Sequence, residues 1–424
     1  MIIFRNRDFG LLWSGQLLSN LGGWLMVVAV PVYVYDLTGS AVSTGAAFVA
    51  ETLPALLFAP VAGVFVDRWD RRTVLIVGDL LRGVVILALL VVRSPDLLWL
   101  LYLTVLVENT FTQFFQPAHR AIVPSIVGRG KDLEGANAWY TVANGIVRLA
   151  GAPIGGALYA ILGFGALVLI DSATYLVSVL LLLGLRRRPV PAGETAAPQP
   201  ALRGVVRDLR AGLAYLLGHR VLRGLMLVSS TFLFANAAVS ALLVPYVVRD
   251  LGGGARLVGI LLSALGLGYL LSAYVGRAMS LSGRLRLSVA GSLLAIAVCF
   301  AGFFNWPDAV AATLFIGLAG IPGGALLLLV QVQLQRQTPE PLLGRVSSTF
   351  LSTDMAATVC GALAGTLLAG PIGLVPTLNA SVALVAVSAA LAVILLPSRV
   401  SAEPPSVEPP SVERPTSACE EVGA

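Results

Sequence analysis

The residues of this chain that could do chemistry are ionisable side chains stranded in apolar surroundings. Glu51, Glu108, Arg148, Asp171 and Asp354 each interrupt a long apolar run. A charged side chain at the centre of a bilayer costs about 2.5–3.5 kcal/mol on insertion scales, so each calls for a function or a partner. A carboxylate that alternates between ionised and protonated forms is what coupling to protons requires. An arginine at the same depth can tune that carboxylate or bind an anionic group of a substrate. Glu51, Glu108 and Arg148 fall at similar depth in the first half of the chain. Glu108 is the first candidate for proton exchange and Glu51 the second, with Arg148 tuning the charge or binding an anion. The plainer alternative is that Arg148 neutralises one glutamate as a packing pair. Asp354 is the lone acid at the midplane of the second half, open to a proton, a substrate or a structural hydrogen bond. Asp171 lies in the outer part of its run.

Two further charges, Asp79 and Arg82, stand three residues apart, which puts them on one helix face where they can pair. Their place near the basic end of their span suggests a structural pair or a partner of a gate. Uncharged polar residues also punctuate the apolar runs: Asn109, Thr112, Gln113, Gln116, Asn144, Asn236, Gln331 and Gln333. Hydrogen bonding between helices is the default for each. Gly151 and Gly155 form a small-x3-small face suited to close helix packing, with Pro153 between them as a kink.

The elements that must position these groups are membrane helices. Of the 424 residues, 57% are hydrophobic and 12% charged, and the mean hydropathy is +0.88. A soluble domain carries about 25% charged residues and could not hide this much apolar surface. The runs reach the roughly 20 residues a spanning helix needs, whereas a barrel would show alternating segments of about ten. Twelve spans are predicted, at about 11–35, 42–66, 74–92, 97–117, 138–161, 165–185, 223–247, 257–278, 285–304, 309–333, 345–369 and 374–396. They fall into an N-terminal six-helix bundle (1–185) and a C-terminal one (223–396). Between them lies a linker (186–222) in which Leu202, Val205, Val206, Leu209, Leu213 and Leu216 recur at helical spacing, opposite Arg203, Arg207, Asp208 and Arg210. That pattern predicts an amphipathic helix along the membrane surface. The Pro-, Ser- and Glu-rich tail (397–424) is predicted to be disordered.

Orientation follows from the basic residues. With the N-terminus in the cytoplasm, only Arg93, Arg249 and Arg256 face outward, while the inside holds Arg68, Arg71, Arg72, Arg120, Lys131, Arg186 and many others. The positive-inside rule therefore puts both termini in the cytoplasm. It also accounts for the net charge of +6 without nucleic acid as a partner. The fifth span, shifted by 210 residues, overlays the eleventh: Asn144 meets Asp354, Gly151 meets Gly361 and Gly155 meets Gly365. Internal repeats of this kind build one site that opens alternately to either side of a membrane.

Between the second and third spans runs Gly63-Val64-Phe65-Val66-Asp67-Arg68-Trp69-Asp70-Arg71-Arg72. Five charges in six residues form a short water-exposed turn, and Gly63 permits close approach of two helices. The residues Gly63, Asp67, Arg68, Arg71 and Arg72, with Asp79 and Arg82 behind them, are candidates for a cytoplasmic gate. The second half keeps a worn copy, Gly276-Arg277 and Gly283-Arg284, without the aspartate. This loop closely resembles the one between spans two and three of the major facilitator superfamily of secondary transporters. Phe4-Arg5-Asn6-Arg7-Asp8-Phe9, Leu53-Pro54, Phe115-Gln116-Pro117-Ala118-His119-Arg120 and Gly344-Arg345-Val346 look like the branch of enterobactin exporters and macrolide-efflux proteins. Gly151-Ala152-Pro153-Ile154-Gly155-Gly156 resembles that superfamily's antiporter motif, with Pro153 one place late.

The resemblance implies an all-α membrane fold of two pseudo-symmetric six-helix bundles in a bacterial cytoplasmic membrane. It implies proton-driven export of a small amphipathic molecule, a siderophore or a drug, by alternating access. Spans four, seven and ten line the cavity in that superfamily, which makes Asn109, Gln113, Asn144, Asn236 and Gln331 candidate substrate contacts. Uptake or facilitated transport of a metabolite or lipid, and a non-transporting membrane sensor, are the alternatives. No cofactor is expected. Gly128-Arg129-Gly130-Lys131 fails as a phosphate loop because Ser125 and Asp132 stand where Gly and Ser/Thr are needed, so no nucleotide is expected either. With two histidines and three scattered cysteines, no metal site or catalytic triad is expected, and the chain does not read as an enzyme. A monomer is expected, because one bundle of twelve spans already holds a complete pathway.

Overall fold

A computed structural model describes residues 6–66, 69–128, 130–186 and 202–398. The described residues are helical almost throughout. The first six membrane helices are α1 (Arg7–Thr38), α2 (Ala41–Val66), α3 (Arg71–Val85), α4 (Leu98–Val127), and α5 and α6 within the stretch Lys131–Leu183. That stretch would be about 80 Å long as one helix, far beyond a bilayer core of about 30 Å. It divides instead at Gly163, whose φ of 76° breaks the helix, giving α5 (131–162) and α6 (164–183). A left-handed backbone at this turn is one that glycine adopts without penalty. Past its end, α3 tightens into a 3-10 helix, Ile86–Val91. After the linker helix α7 (Leu202–Gly218) come α8 (Arg220–Arg249), α9 (Ala255–Ser282), α10 (Leu285–Asn305), α11 (Ala309–Arg336), α12 (Leu343–Ala369) and α13 (Leu374–Leu395). With the Gly163 break counted, twelve of these helices are long and apolar enough to cross a membrane.

Helix starts are sealed locally. Asn6, Asp70 and Asp308 each accept a hydrogen bond from the backbone N–H three residues on, at 3.2, 2.9 and 2.8 Å. The Asp70 carboxylate also accepts from the Thr73 hydroxyl at 2.6 Å.

The internal repeat extends beyond the fifth and eleventh spans. A Cβ on Gly151 of α5 would lie 2.6 Å from the Trp24 Cβ of α1, and Gly361 of α12 abuts Phe234 of α8 in the same way, each residue 210 further on. Asn20 of α1 donates to Asn144 of α5 at 2.9 Å; at the same offset, Ser230 of α8 donates to Asp354 of α12 at 3.2 Å. A second offset, of 214, relates α3 to α10. Arg72 donates to the Leu182 and Leu183 carbonyls at the end of α6, at 3.2 and 2.7 Å. Arg286 donates to the Leu396 carbonyl at the end of α13, at 2.8 Å. In both halves an arginine thus meets carbonyls at a helix C-terminus, where its charge is favoured.

The two halves meet along α2 with α12 and α5 with α9. These seams lie toward the face opposite the basic residues. Gly45, near the start of α2, is pressed against Thr366, near the end of α12, and Gly156 against the Ala255 carbonyl that opens α9. A Cβ on Gly259 would lie 2.7 Å from the Ala152 carbonyl oxygen. Toward the basic face, by contrast, Val142, Ile146 and Tyr274 are exposed.

The linker helix α7 forms over the predicted stretch, but it packs on protein as well as presenting an apolar edge. Asp208 pairs with Arg345 of α12 at 3.2 Å, and Gly212 sits 2.6 Å (as a built Cβ) from the Arg345 carbonyl oxygen. Leu216 is fully buried, while Val206, Leu213 and Leu217 remain exposed. Residues 399–424 of the predicted tail and 187–201 of the linker lie outside the described residues.

Candidate functional site

The first half encloses a cavity of about 280 Å³. Its wall includes Asn20 and Trp24 from α1, Glu51 from α2, Arg82 from α3, Glu108, Asn109 and Thr112 from α4, and Asp171 and Tyr175 from α6. Glu51 and Glu108, the two sequence candidates for proton exchange, therefore share one space. Arg148 is not beside them. The guanidinium near Glu108 belongs to Arg82, which is sandwiched between the Phe115 and Tyr175 rings at 4.3 and 4.6 Å. Cation–π contacts of this kind gain strength when desolvated.

Asp79 and Arg82 form a buried ion pair, exposed by 0% and 5%. The second Asp79 oxygen accepts from the Ser178 hydroxyl of α6 at 2.6 Å. The sequence suggested a place for this pair behind the basic-face loop. The structure puts Arg82 in the wall of the cavity, with Asp79 held against α6, which supplies a polar stripe at helical spacing: Asp171, Ser172, Tyr175 and Ser178. Ser172 donates to the Gly83 carbonyl of α3 at 2.7 Å, and Tyr175 donates to Glu108 Oε1 at 2.8 Å. Asn109 donates to the other Glu108 oxygen at 3.0 Å. Glycines of α1 and α3 make room for this stripe. A Cβ on Gly15 would meet Ser178 Oγ at 2.9 Å, one on Gly83 would meet the Tyr175 Cβ at 3.1 Å, and one on Gly22 would strike Asp171 Oδ1. Sequence reasoning noted Asp171 without a role and missed Tyr175 and Ser178. The signal was there, as a period of three to four polar residues within an apolar span.

A second space of about 680 Å³ adjoins the first, sharing Asn20, Trp24 and Gln116. It reaches the basic ends of α4 and α5 at Arg120, Pro124, Leu133 and Asn137, and Arg148 also lines it. The Arg148 guanidinium lies over Trp24 of its own half at 5.9 Å and over Tyr269 of the other half at 4.8 Å. Asn144, another sequence candidate, faces this space and is held by Asn20, which in turn accepts from Gln16 at 2.9 Å.

The remaining candidates scatter. Gln113 donates to the Asn109 carbonyl at 3.3 Å and lines neither space, nor do Asn236 and Gln331. Asp354 is buried in the second half, accepting from Ser229 at 3.0 Å and Ser230 at 3.2 Å. Gly151 and Gly155 seat α1, while Pro153 abuts Gly259 of α9. In the loop, Arg71 donates to the Ala121 carbonyl of α4 at 3.1 Å, so both Arg71 and Arg72 tie helix ends within one half. Among the described residues, no atom outside its own stretch of helix lies within 4 Å of a Cβ built on Gly63. Asp67 and Arg68 lie outside the described residues. Among the described residues no cluster of His, Cys, Asp and Glu has the geometry to hold a metal ion.

Comparison with known proteins follows the same lines. The profile of a family described as transmembrane secretion effector matches residues 2–416. The enterobactin exporter EntS of Shigella dysenteriae is 28% identical over 84% of this chain and 83% of its own length. The multi-drug resistance efflux pump PmrA of Streptococcus pneumoniae is 28% identical over 85% and 89%. The MFS-type transporter YfiS of Bacillus subtilis is 26% identical over 88% and 89%. Among solved structures, a bacterial homologue of the iron transporter ferroportin in an inward-facing state superposes with a TM-score of 0.71 at 17% identity, covering 92% of this chain and 98% of that one. At that identity the likeness speaks for the fold alone.

Proposed function

This chain belongs to the transmembrane secretion effector family of major facilitator transporters, and on that premise we propose that it exports a small amphipathic molecule in exchange for protons. That it is a multi-pass membrane transporter and not an enzyme follows from the family and the fold. Export and proton exchange are the reading the site supports best. The observation that carries it is the grouping of half-buried Glu51 and Glu108 and buried Asp171 in one cavity wall with one guanidinium, Arg82, which is already paired with Asp79. Among the described residues this wall holds three carboxyls and no cation beyond the paired Arg82; three such groups do not all stay ionised in a low-dielectric space, so protons are the counter-charge that fits.

With the basic face in the cytoplasm, by the positive-inside rule, the larger space opens inward, where an exported molecule would load. Its wall combines aromatic surfaces (Trp24, Tyr140), amides (Asn20, Gln116, Asn144) and the guanidiniums of Arg120 and Arg148. That mixture suits an amphipathic molecule such as a siderophore or a macrolide, the kinds of cargo named for relatives. We place the protein in a bacterial inner membrane, both termini cytoplasmic, working as a monomer of two six-helix bundles. Glu108 is the carboxylate that cycles. The Gly63–Arg72 loop acts as the cytoplasmic gate when the inner ends close.

The test is flux into everted vesicles from an efflux-deficient host, with catecholate siderophores, macrolides and lipophilic cations, with and without a pH gradient. Gradient-dependent accumulation that disappears in Glu108→Gln is the expected result. Accumulation indifferent to both would replace exchange with facilitated transport, and no flux for any compound would favour a sensor.

A further inference from the structure

We infer that Asp171 is a second proton-holding carboxyl of the acid-lined cavity, and that in the conformation described it is Asp171, not Glu108, that is neutral. The inference rests on the proton-exchange reading above and deepens it, since it assigns where the proton waits.

The two carboxyls are served unequally. Both Glu108 oxygens accept hydrogen bonds, from the Tyr175 hydroxyl and from the Asn109 amide. That is an environment for an ionised carboxylate. Asp171 is 1% exposed, and its Oδ1 is fully buried with no hydrogen-bond partner among the described residues. An ionised carboxylate there would keep a charged oxygen without a donor, the most expensive way to bury a polar atom. A protonated carboxyl removes the charge.

Among the described residues, no element packed around Asp171 supplies it with an uncommitted cation. On α1 it faces Gly22, with Ser19 in the same cavity wall and no charge. On α2 the titratable group is Glu51 and on α4 Glu108, both acids. On α3 Arg82 is committed to Asp79. On α6 itself the next titratable group is Tyr175, one turn away, whose hydroxyl donates its hydrogen bond to Glu108. Neutrality of Asp171 therefore has to come from a proton. Because Asp171 and Glu108 line one cavity, a proton leaving the Asp171 oxygen can reach a Glu108 oxygen, breaking one O–H bond and forming another, with the total charge of the cavity unchanged.

The experiment is difference infrared spectroscopy of the full chain in liposomes, reading the C=O stretch of protonated carboxyls at neutral pH. The wild-type band should be lost in Asp171→Asn, which is isosteric with the neutral acid, and retained in Glu108→Gln. A band that survives Asp171→Asn and vanishes in Glu108→Gln overturns the assignment. Should Asp171→Asn not fold, heavy-carbon labelling of aspartate side-chain carboxyls in an Asp354→Asn background decides. A shifted band supports Asp171, and an unshifted one overturns it. The two readings fail separately. Flux that ignores the pH gradient while the band still follows Asp171 removes the coupling and leaves the proton site. Gradient-dependent flux with the band following Glu108 does the reverse.

Discussion

Arg82 is the residue on which the acid-lined wall depends. Stacked between Phe115 and Tyr175 and paired with Asp79, it is only 5% exposed. Removing one partner of a buried pair leaves the other charge uncompensated and costs about 3–5 kcal/mol, whereas removing both is often close to neutral. Arg82→Gln should therefore lower the unfolding midpoint in detergent by an amount of that order, and the Asp79→Asn/Arg82→Gln double variant should recover most of it. A double variant as unstable as the single one would contradict the pairing. Much of this was legible at the level of residue type: the i,i+3 spacing announced the Asp79–Arg82 pair, and an isolated acid in an apolar run announces itself. Partner choice was not legible. Arg148 and Arg82 are equally conspicuous in one dimension, and only the rotation of α3 about its axis puts Arg82, not Arg148, beside Glu108.

At the scale of elements, helix ends in this molecule are held by arginines at equivalent places. Arg72 makes two bonds to the end of α6, and Arg286 makes one to the end of α13. A net hydrogen bond to a charged group is worth about 1.5–3 kcal/mol. Arg72→Ala should thus raise amide hydrogen exchange in the last turn of α6. Arg286→Ala should do the same, to a smaller degree, at the end of α13. Each variant should leave the other site protected. Exchange that rises everywhere would mean that these contacts hold the whole bundle and not one helix end. The sequence motif around Asp70-Arg71-Arg72 read as a solvated turn or a gate. Its helix-capping work was invisible because the carbonyls it serves belong to residues some fifty and 110 positions away.

The whole molecule is closed along one face and open along the other. Gly156 is pressed against the Ala255 carbonyl at the closed seam, whereas none of the described residues of another helix stands within 4 Å of a Cβ on Gly63. Gly156→Leu should therefore part the ends of α5 and α9 and lengthen a spin-label distance across them. Gly63→Leu should leave the unfolding midpoint as in the wild type and yet lower transport at least about tenfold, a loss confined to the step in which the inner ends close. A Gly63→Leu variant with normal flux would remove this glycine from the gate. Alternating access requires the same glycine-lined surfaces to meet and separate in turn, so one conformation displays only half of their contacts.

From the sequence alone came the twelve spans, the charge bias, the repeat at 210 residues and the stranded acids. Each of these is a local or periodic signal, and a charge against an apolar background is hard to hide. Tertiary structure alone decided that Tyr175 and Asn109 serve Glu108, with Arg82 in the same cavity wall, and that Asp171 Oδ1 is left without a hydrogen-bond partner among the described residues. It also decided that Asp354 is answered by two serines and that Arg148 bridges rings from opposite halves. Those outcomes depend on which faces of α1, α3, α4 and α6 meet. That is set by glycine niches at Gly15, Gly22 and Gly83 and by the sum of packing over the bundle, which no single stretch of sequence contains.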